Sequence, residues 1–306
     1  MPTIDLSTPP PPPSGLLEAL PRRVTLTLAE LNLVAERAGN APLPFELAAP
    51  AGTNPLESRL GESRTSAEDA AYAAAVDSLH DPEVSLTRRG LLGEDAASHG
   101  LAGAVGLLAT PTTALDIDVT AAGVRAKSWH RHAGDAVATL STVDGVVFEL
   151  AWFPASQWAT ELGRAAVLPT DFDVRASAVP GHAEIPFELA DAATEAIRTG
   201  RNDLLPVLAA RHTGMVLGDR GPLDGAEVTG LLDALSHEAQ GRLRVLVANV
   251  AEGEPTVVGV VAWTLLADGW HALRPRLGEV HRVVVSAVEP SDLAPELAPV
   301  LAEVTR

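Results

Sequence analysis

VTLTLAELNLVAERAGNAPLPFEL, residues 24–47, returns without a gap as IPFELADAATEAIRTGRNDLLPVL, residues 185–208. Aligned this way, Leu28 meets Leu189, Ala29 meets Ala190, Ala35 meets Ala196 and Arg37 meets Arg198. Gly39, Leu43 and Leu47 likewise meet Gly200, Leu204 and Leu208, making seven identities in 24 positions, where composition alone gives about two. The physical pattern repeats with the letters. Each copy has a period-two apolar run, a helix of about two to three turns, a glycine able to take the left-handed C′ conformation, and a second apolar run. The expectation is two copies of one ancestral unit.

Working outward, the correspondence resumes at Arg89-Gly90 and Arg220-Gly221, now offset by 131 residues rather than 161. The first copy should therefore carry an insertion of about thirty residues. It falls near 49–80: a loop-like stretch rich in Ala, Pro, Gly, Asn and Ser over 48–64, then a helix after Ser66 with acidic residues in its first turn.

After each Arg-Gly the pattern predicts a helix, over 94–109 and 224–239, followed by four strands. In the first copy these are 115–119, 124–132, 136–143 and 146–153, with turns at Gly134-Asp135 and Asp144-Gly145. In the second they are 243–250, 256–266, 270–276 and 280–288, with a turn at Asp268-Gly269. Both copies close on a helix after a proline, PASQWATEL from Pro154 and PSDLAPEL from Pro290. The predicted fold class is α+β, an internally duplicated, quasi-twofold, mostly antiparallel sheet flanked by helices. Residues 1–20, with Pro9–Pro13, read as a disordered proline-rich tail. Residues 21–306 read as a single domain of two repeats, about 24–168 and 185–305, joined through 167–184.

Composition narrows the chemistry. There is no cysteine, which excludes disulfides, thiolate metal sites and cysteine nucleophiles. Forty acidic against 22 basic residues give a formal charge of −18, which repels phosphate backbones and argues against a nucleic-acid role. Lys127 is the only lysine, and the Ala, Val, Gly, Arg and Pro bias suggests a GC-rich, actinobacterial genome. No apolar run is long enough to cross a bilayer, and the N-terminus lacks the basic and apolar regions of a signal peptide. We expect a cytoplasmic protein without membrane insertion.

Candidate catalytic groups are few. His130 and His132 share one strand face and could chelate a metal with Asp116 or Asp118, giving a metal-dependent hydrolase as the alternative reading. Two polar residues at i and i+2 are also what a solvated antiparallel face looks like, and that reading is preferred. Asp171-Phe-Asp173 has no phosphate-binding loop beside it. Ser98-His99 and Ser236-His237 fall inside predicted helices, where surface histidines are the simpler reading than a triad. The tryptophans lie mostly at strand positions suited to core or cross-strand packing. The expectation is a non-enzyme without catalytic residues, metal or cofactor.

The order of parts resembles the EspG-type secretion chaperones of actinobacterial type VII (ESX) systems. The resemblance runs over about 22–305 and is carried by VTLTLAELNLVAERAG followed by LPFEL, by RGLL at 89–92 before a long helix, and by VVFELAWFP at 146–154. In the second half it is carried by LLDALSHEAQGRLRVLV at 231–247 and ADGWHALRP at 267–275, before the closing helix. It implies a cytosolic chaperone without catalysis that binds the apolar helical tip of a PE/PPE-like or WXG100-like secretion pair, as a monomer or weak homodimer. By position, the family's gripping loop becomes Thr120, Ala121, Ala122 and Gly123. Its helical bundle becomes about 188–239, with Leu205, Met215, Val216, Leu223 and Leu235 as apolar contacts. The loop is far shorter than the family's, which implies a different grip or a different substrate.

Overall fold

The computed structural model describes residues 21–45, 71, 74, 80–93, 96–170, 172–251 and 255–304. The expected proline-rich tail, most of the 49–80 insertion, the end of the first repeat's second apolar run and Asp171 lie outside them.

Twelve strands and eight α-helices are present among the described residues. The first half runs β1 (Arg22–Thr27), α1 (Leu28–Arg37), α2 (Pro82–Arg88), α3 (Ala96–Ala109), β2 (Thr113–Ala121), β3 (Val124–Ala133), β4 (Ala136–Thr142), β5 (Val147–Pro154) and α4 (Trp158–Ala165). The second runs β6 (His182–Pro186), α5 (Phe187–Arg198), α6 (Leu205–Arg211), β7 (Leu217–Gly218), β8 (Gly221–Pro222), α7 (Gly225–His237), β9 (Gly241–Asn249), β10 (Thr256–Leu266), β11 (Gly269–Arg276), β12 (Arg282–Ala287) and α8 (Leu293–Val304).

The strand order has the same logic in each half. β2 to β5 form a meander onto whose last strand β1 adds antiparallel, Val24 opposite Leu150. β9 to β12 form a second meander onto whose last strand β6 adds antiparallel, Ile185 opposite Val283. The expected α+β class with an antiparallel sheet is found, and all eight strands of the two expected meanders are present. β7, β8, α2 and α6 escaped the sequence reading because each is only two to seven residues long.

Two compact units emerge. Of the described residues, one takes those up to 117 with those of 126–158 and 247–258, and the other takes those of 118–125, 159–246 and from 259 on. In the first, Leu31, Val34 and Ala35 of α1 and Leu101, Val105 and Leu108 of α3 pack on Leu140, Phe148 and Leu150. In the second, Leu189, Ala193 and Ala196 of α5 and Val228, Leu231 and Leu232 of α7 pack on Ala183, Ile185 and Val285. Removing any of these buried leucines to alanine carries the usual cavity cost of about 2–5 kcal/mol.

Local chemistry sets the element boundaries. β1 stops because Thr27 becomes the cap of α1. Its Oγ1 accepts from Glu30 N–H at 3.2 Å while Glu30 Oε2 accepts from Thr27 N–H at 2.9 Å. α1 ends before Gly39 at φ 86°, and α5 ends before Gly200 at φ 72°, at positions that the alignment pairs. The two helices begin differently. Pro186 precedes α5 and no side chain caps it, so α5 starts two residues earlier than the alignment with α1 implies.

Gly103 sits exposed inside α3, and a methyl group added there would meet nothing within 4 Å. Gly103→Ala should therefore stabilise the protein by about 0.5–1 kcal/mol, read as a higher denaturant midpoint at unchanged slope.

Candidate partner-binding site

The first candidate surface is the turn between β2 and β3. Two residues, Ala122 at φ 50° and Gly123 at φ 80°, close it, the paired positive φ of the tightest hairpins. Ala121 is buried, whereas Ala122, Gly123 and Val124 are exposed. Behind the turn, Arg125 Nε donates to Asp118 Oδ1 at 3.3 Å, and this carboxylate raises the guanidinium pKa. A second brace comes from Gly241 of β9. A methyl there would fall on the Thr120 carbonyl oxygen, so only glycine permits this approach of β9 to the hairpin.

The second candidate surface is the helical layer of the same unit, and the structure separates the five apolar candidates. Leu205 is 2% exposed and Val216 0%, so both fill the core and present no side chain to a partner. Leu223 and Leu235 pack partly buried against that core, and Leu223 N–H bonds Val216 O at 2.9 Å. Met215 is half-buried, with its carbonyl held by Arg282 Nη1 at 2.7 Å. Leu205 is buried because α6 places it on one stripe with Leu208 and Ala209, at the i, i+3, i+4 spacing of an amphipathic helix. The same spacing throws Val207 outward at 51% exposure, and Phe187, the first residue of α5, is 56% exposed. Sequence reasoning missed both. For Val207 the helical spacing was a usable signal, whereas Phe187 required knowing that α5 begins there.

The histidine and aspartate candidates are corrected by the structure. His130 and His132 do share one face of β3, but Trp158 of α4 covers it. Trp158 Nε1 donates to His130 Nδ1 at 3.0 Å, and the His132 ring stacks on the Trp158 ring at 5.0 Å between centroids. The preferred solvated-face reading therefore fails, because His130 is 3% exposed. Burial, reinforced by the neighbouring Arg131 charge, pushes its pKa down to about 3 and keeps the imidazole neutral. The hydrolase reading fails too. Asp116 pairs with Arg131 at 2.8 Å and Asp118 pairs with Arg125, and no group of three metal-ligating side chains stands together among the described residues.

His99 and His237 are exposed on α3 and α7, as a surface-histidine reading expects. Asp173 is exposed, with the Arg175 guanidinium 3.7 Å from its carboxylate. Trp129, Trp158, Trp263 and Trp270 are buried in the core. No helix among the described residues is long and apolar enough to cross a membrane.

Neither a family model nor a curated protein sequence matches the chain. A solved structure does: the Mycobacterium tuberculosis type VII secretion system chaperone EspG5 in complex with a PE25-PPE41 dimer. The match spans 92% of this chain and 96% of that one at a TM-score of 0.58 and 12% identity. The fold implied by the EspG-type resemblance is therefore the fold found.

Proposed function

We propose that this protein is a cytoplasmic chaperone of a type VII secretion system. It binds a PE/PPE-like or WXG100-like helical pair, keeps the pair soluble and delivers it for export. It works as a monomer or weak homodimer, needs neither cofactor nor metal, binds no nucleic acid and inserts in no membrane. Residues 21–306 act as one domain built of two repeats. The observation that carries this reading is the shared fold with EspG5 over nearly the whole of both chains, together with the PE25-PPE41 dimer bound to that protein.

The chemistry is consistent with that role. A helix tip docks through apolar anchors and needs no titratable group from its receptor. Phe187, Val207, Met215 and Val124 supply apolar surface within the second unit, to which the Ala122-Gly123 turn also belongs. The formal charge of −18 resists aggregation of the loaded complex.

Co-expression with the type VII substrate pairs of the source organism should yield a soluble complex that co-purifies. Failure with every such pair would overturn the reading. Within such a complex, Val207→Asp combined with Met215→Asp should raise Kd at least about tenfold by placing charge against an apolar partner. Titration calorimetry against the unmodified chain reads that change.

A further inference from the structure

The turn between β2 and β3, Thr120 to Val124, carries no charged side chain. The cation next to it, Arg125, is already paired, since its Nε and Nη2 both donate to the Asp118 carboxylate. The strand beside the turn is different. Gly241 lies against Thr120, and from there β9 alternates. Leu243 and Val245 are 1% and 0% exposed, while Arg242 and Arg244 are exposed on the opposite face.

Neither of these two arginines meets a carboxylate among the described residues. Elsewhere in the same unit Arg198, Arg201, Arg274 and Arg276 each reach one. A solvated strand face accounts for polar side chains at 242 and 244. It does not account for two like charges, side by side and without a counter-charge, in a chain of 40 acidic and 22 basic residues.

The spacing indicates what they fit. Side chains two residues apart on a strand are about 7 Å apart, and side chains three or four apart on a helix are about 5–6 Å apart. Two arginines at 242 and 244 therefore match two acids on one helical face, each guanidinium receiving a carboxylate through parallel N–H···O bonds. We propose that Arg242 and Arg244 take two carboxylates, three or four residues apart on one helix of the bound pair, while the uncharged turn beside them takes the apolar end of that helix. The inference rests on the chaperone reading and adds to it the charge that the partner carries. It also gives docking a direction, because a formal charge of −18 repels an acidic helix from most of the chain and leaves this strip to receive it.

The test uses the full chain and the helical pair that co-purifies with it, with Kd read by titration calorimetry. Arg242→Glu combined with Arg244→Glu should raise Kd at least about tenfold at low salt, and its gap from the unmodified chain should narrow at high salt. Arg242→Gln combined with Arg244→Gln removes the charges without reversing them and should give a smaller loss with the same salt dependence. Arg22→Glu combined with Arg88→Glu makes the same change in net charge on exposed residues of the first unit, and should leave Kd within about twofold. A strip reversal that binds like the unmodified chain at low salt overturns the inference and leaves the chaperone reading standing, as does an equal loss in the first-unit variant. An unmodified chain that captures no pair overturns the chaperone reading and this inference with it.

Discussion

Gly241→Ala should be the most damaging added methyl among the glycines whose surroundings the structure describes. The added Cβ falls on the Thr120 carbonyl oxygen, with Thr120 C at 3.0 Å and Ala121 Cα at 3.1 Å. All of these are backbone atoms of β2, so relief requires β9 to move away from the hairpin that carries Ala122 and Gly123. Overpacking that only displaces side chains costs about 1–3 kcal/mol, and a backbone clash belongs at or above the top of that range. Gly259→Ala is the control, because its Cβ meets Val300 Cγ1 at 2.6 Å, a side chain on α8 that can yield. Denaturant melts should place Gly241→Ala at least about 3 kcal/mol below the unmodified chain and Gly259→Ala clearly closer to it. Equal losses would contradict the geometry at Thr120.

Acidification from pH 6.5 to 5 should remove about 2 kcal/mol of stability through His130 alone. The sign follows from the direction of the shift. The folded pKa, about 3, lies below the ordinary 6.5, so below pH 6.5 the unfolded chain takes up a proton that the native chain refuses. Stability is therefore complete above 6.5 and falls by about 1.4 kcal/mol per pH unit until the native imidazole itself titrates. Burial also lowers the pKa of His132, partly offset by the Gly134 backbone and Asp135, and this adds to the loss in the same direction. Glu30, Asp144 and Glu238 are held below their ordinary carboxylate values and contribute only at lower pH. His130→Gln keeps an acceptor for Trp158 Nε1 and removes the titration, so its stability should lose less than about 1 kcal/mol over the same interval. An unchanged slope in that variant would show that His130 is not the acid-sensitive group.

The sheet was legible because its signals are local. Alternation in LDIDV and VVFELAWF and the glycine turns at 134, 145 and 269 each act within a few residues of themselves. β10 was expected over 256–266 and runs Thr256–Leu266. The environment of His130 was not legible in this way, because the side chain that buries it, Trp158, lies 28 residues away on another element. Period-two alternation shows that His130 and His132 share a face but not whether a helix covers it. The burial of Leu205 and Val216 was hidden from the sequence for a related reason. Leu205 and Val207 are chemically similar and two apart, and only the stripe formed with Leu208 and Ala209 decides which is core and which is surface. Gly241 gave no sequence signal at all, since what demands a glycine there is a carbonyl more than a hundred residues earlier.

Hydrogen exchange of the full chain, alone and with a purified PE/PPE-like helical pair, tests the chaperone reading most directly. Binding through the second unit predicts slowed amide exchange in residues 120–124 and across 205–223, with α1 and β5 of the first unit unchanged. Protection confined to the first unit, or no change in either unit at saturating pair, would contradict it.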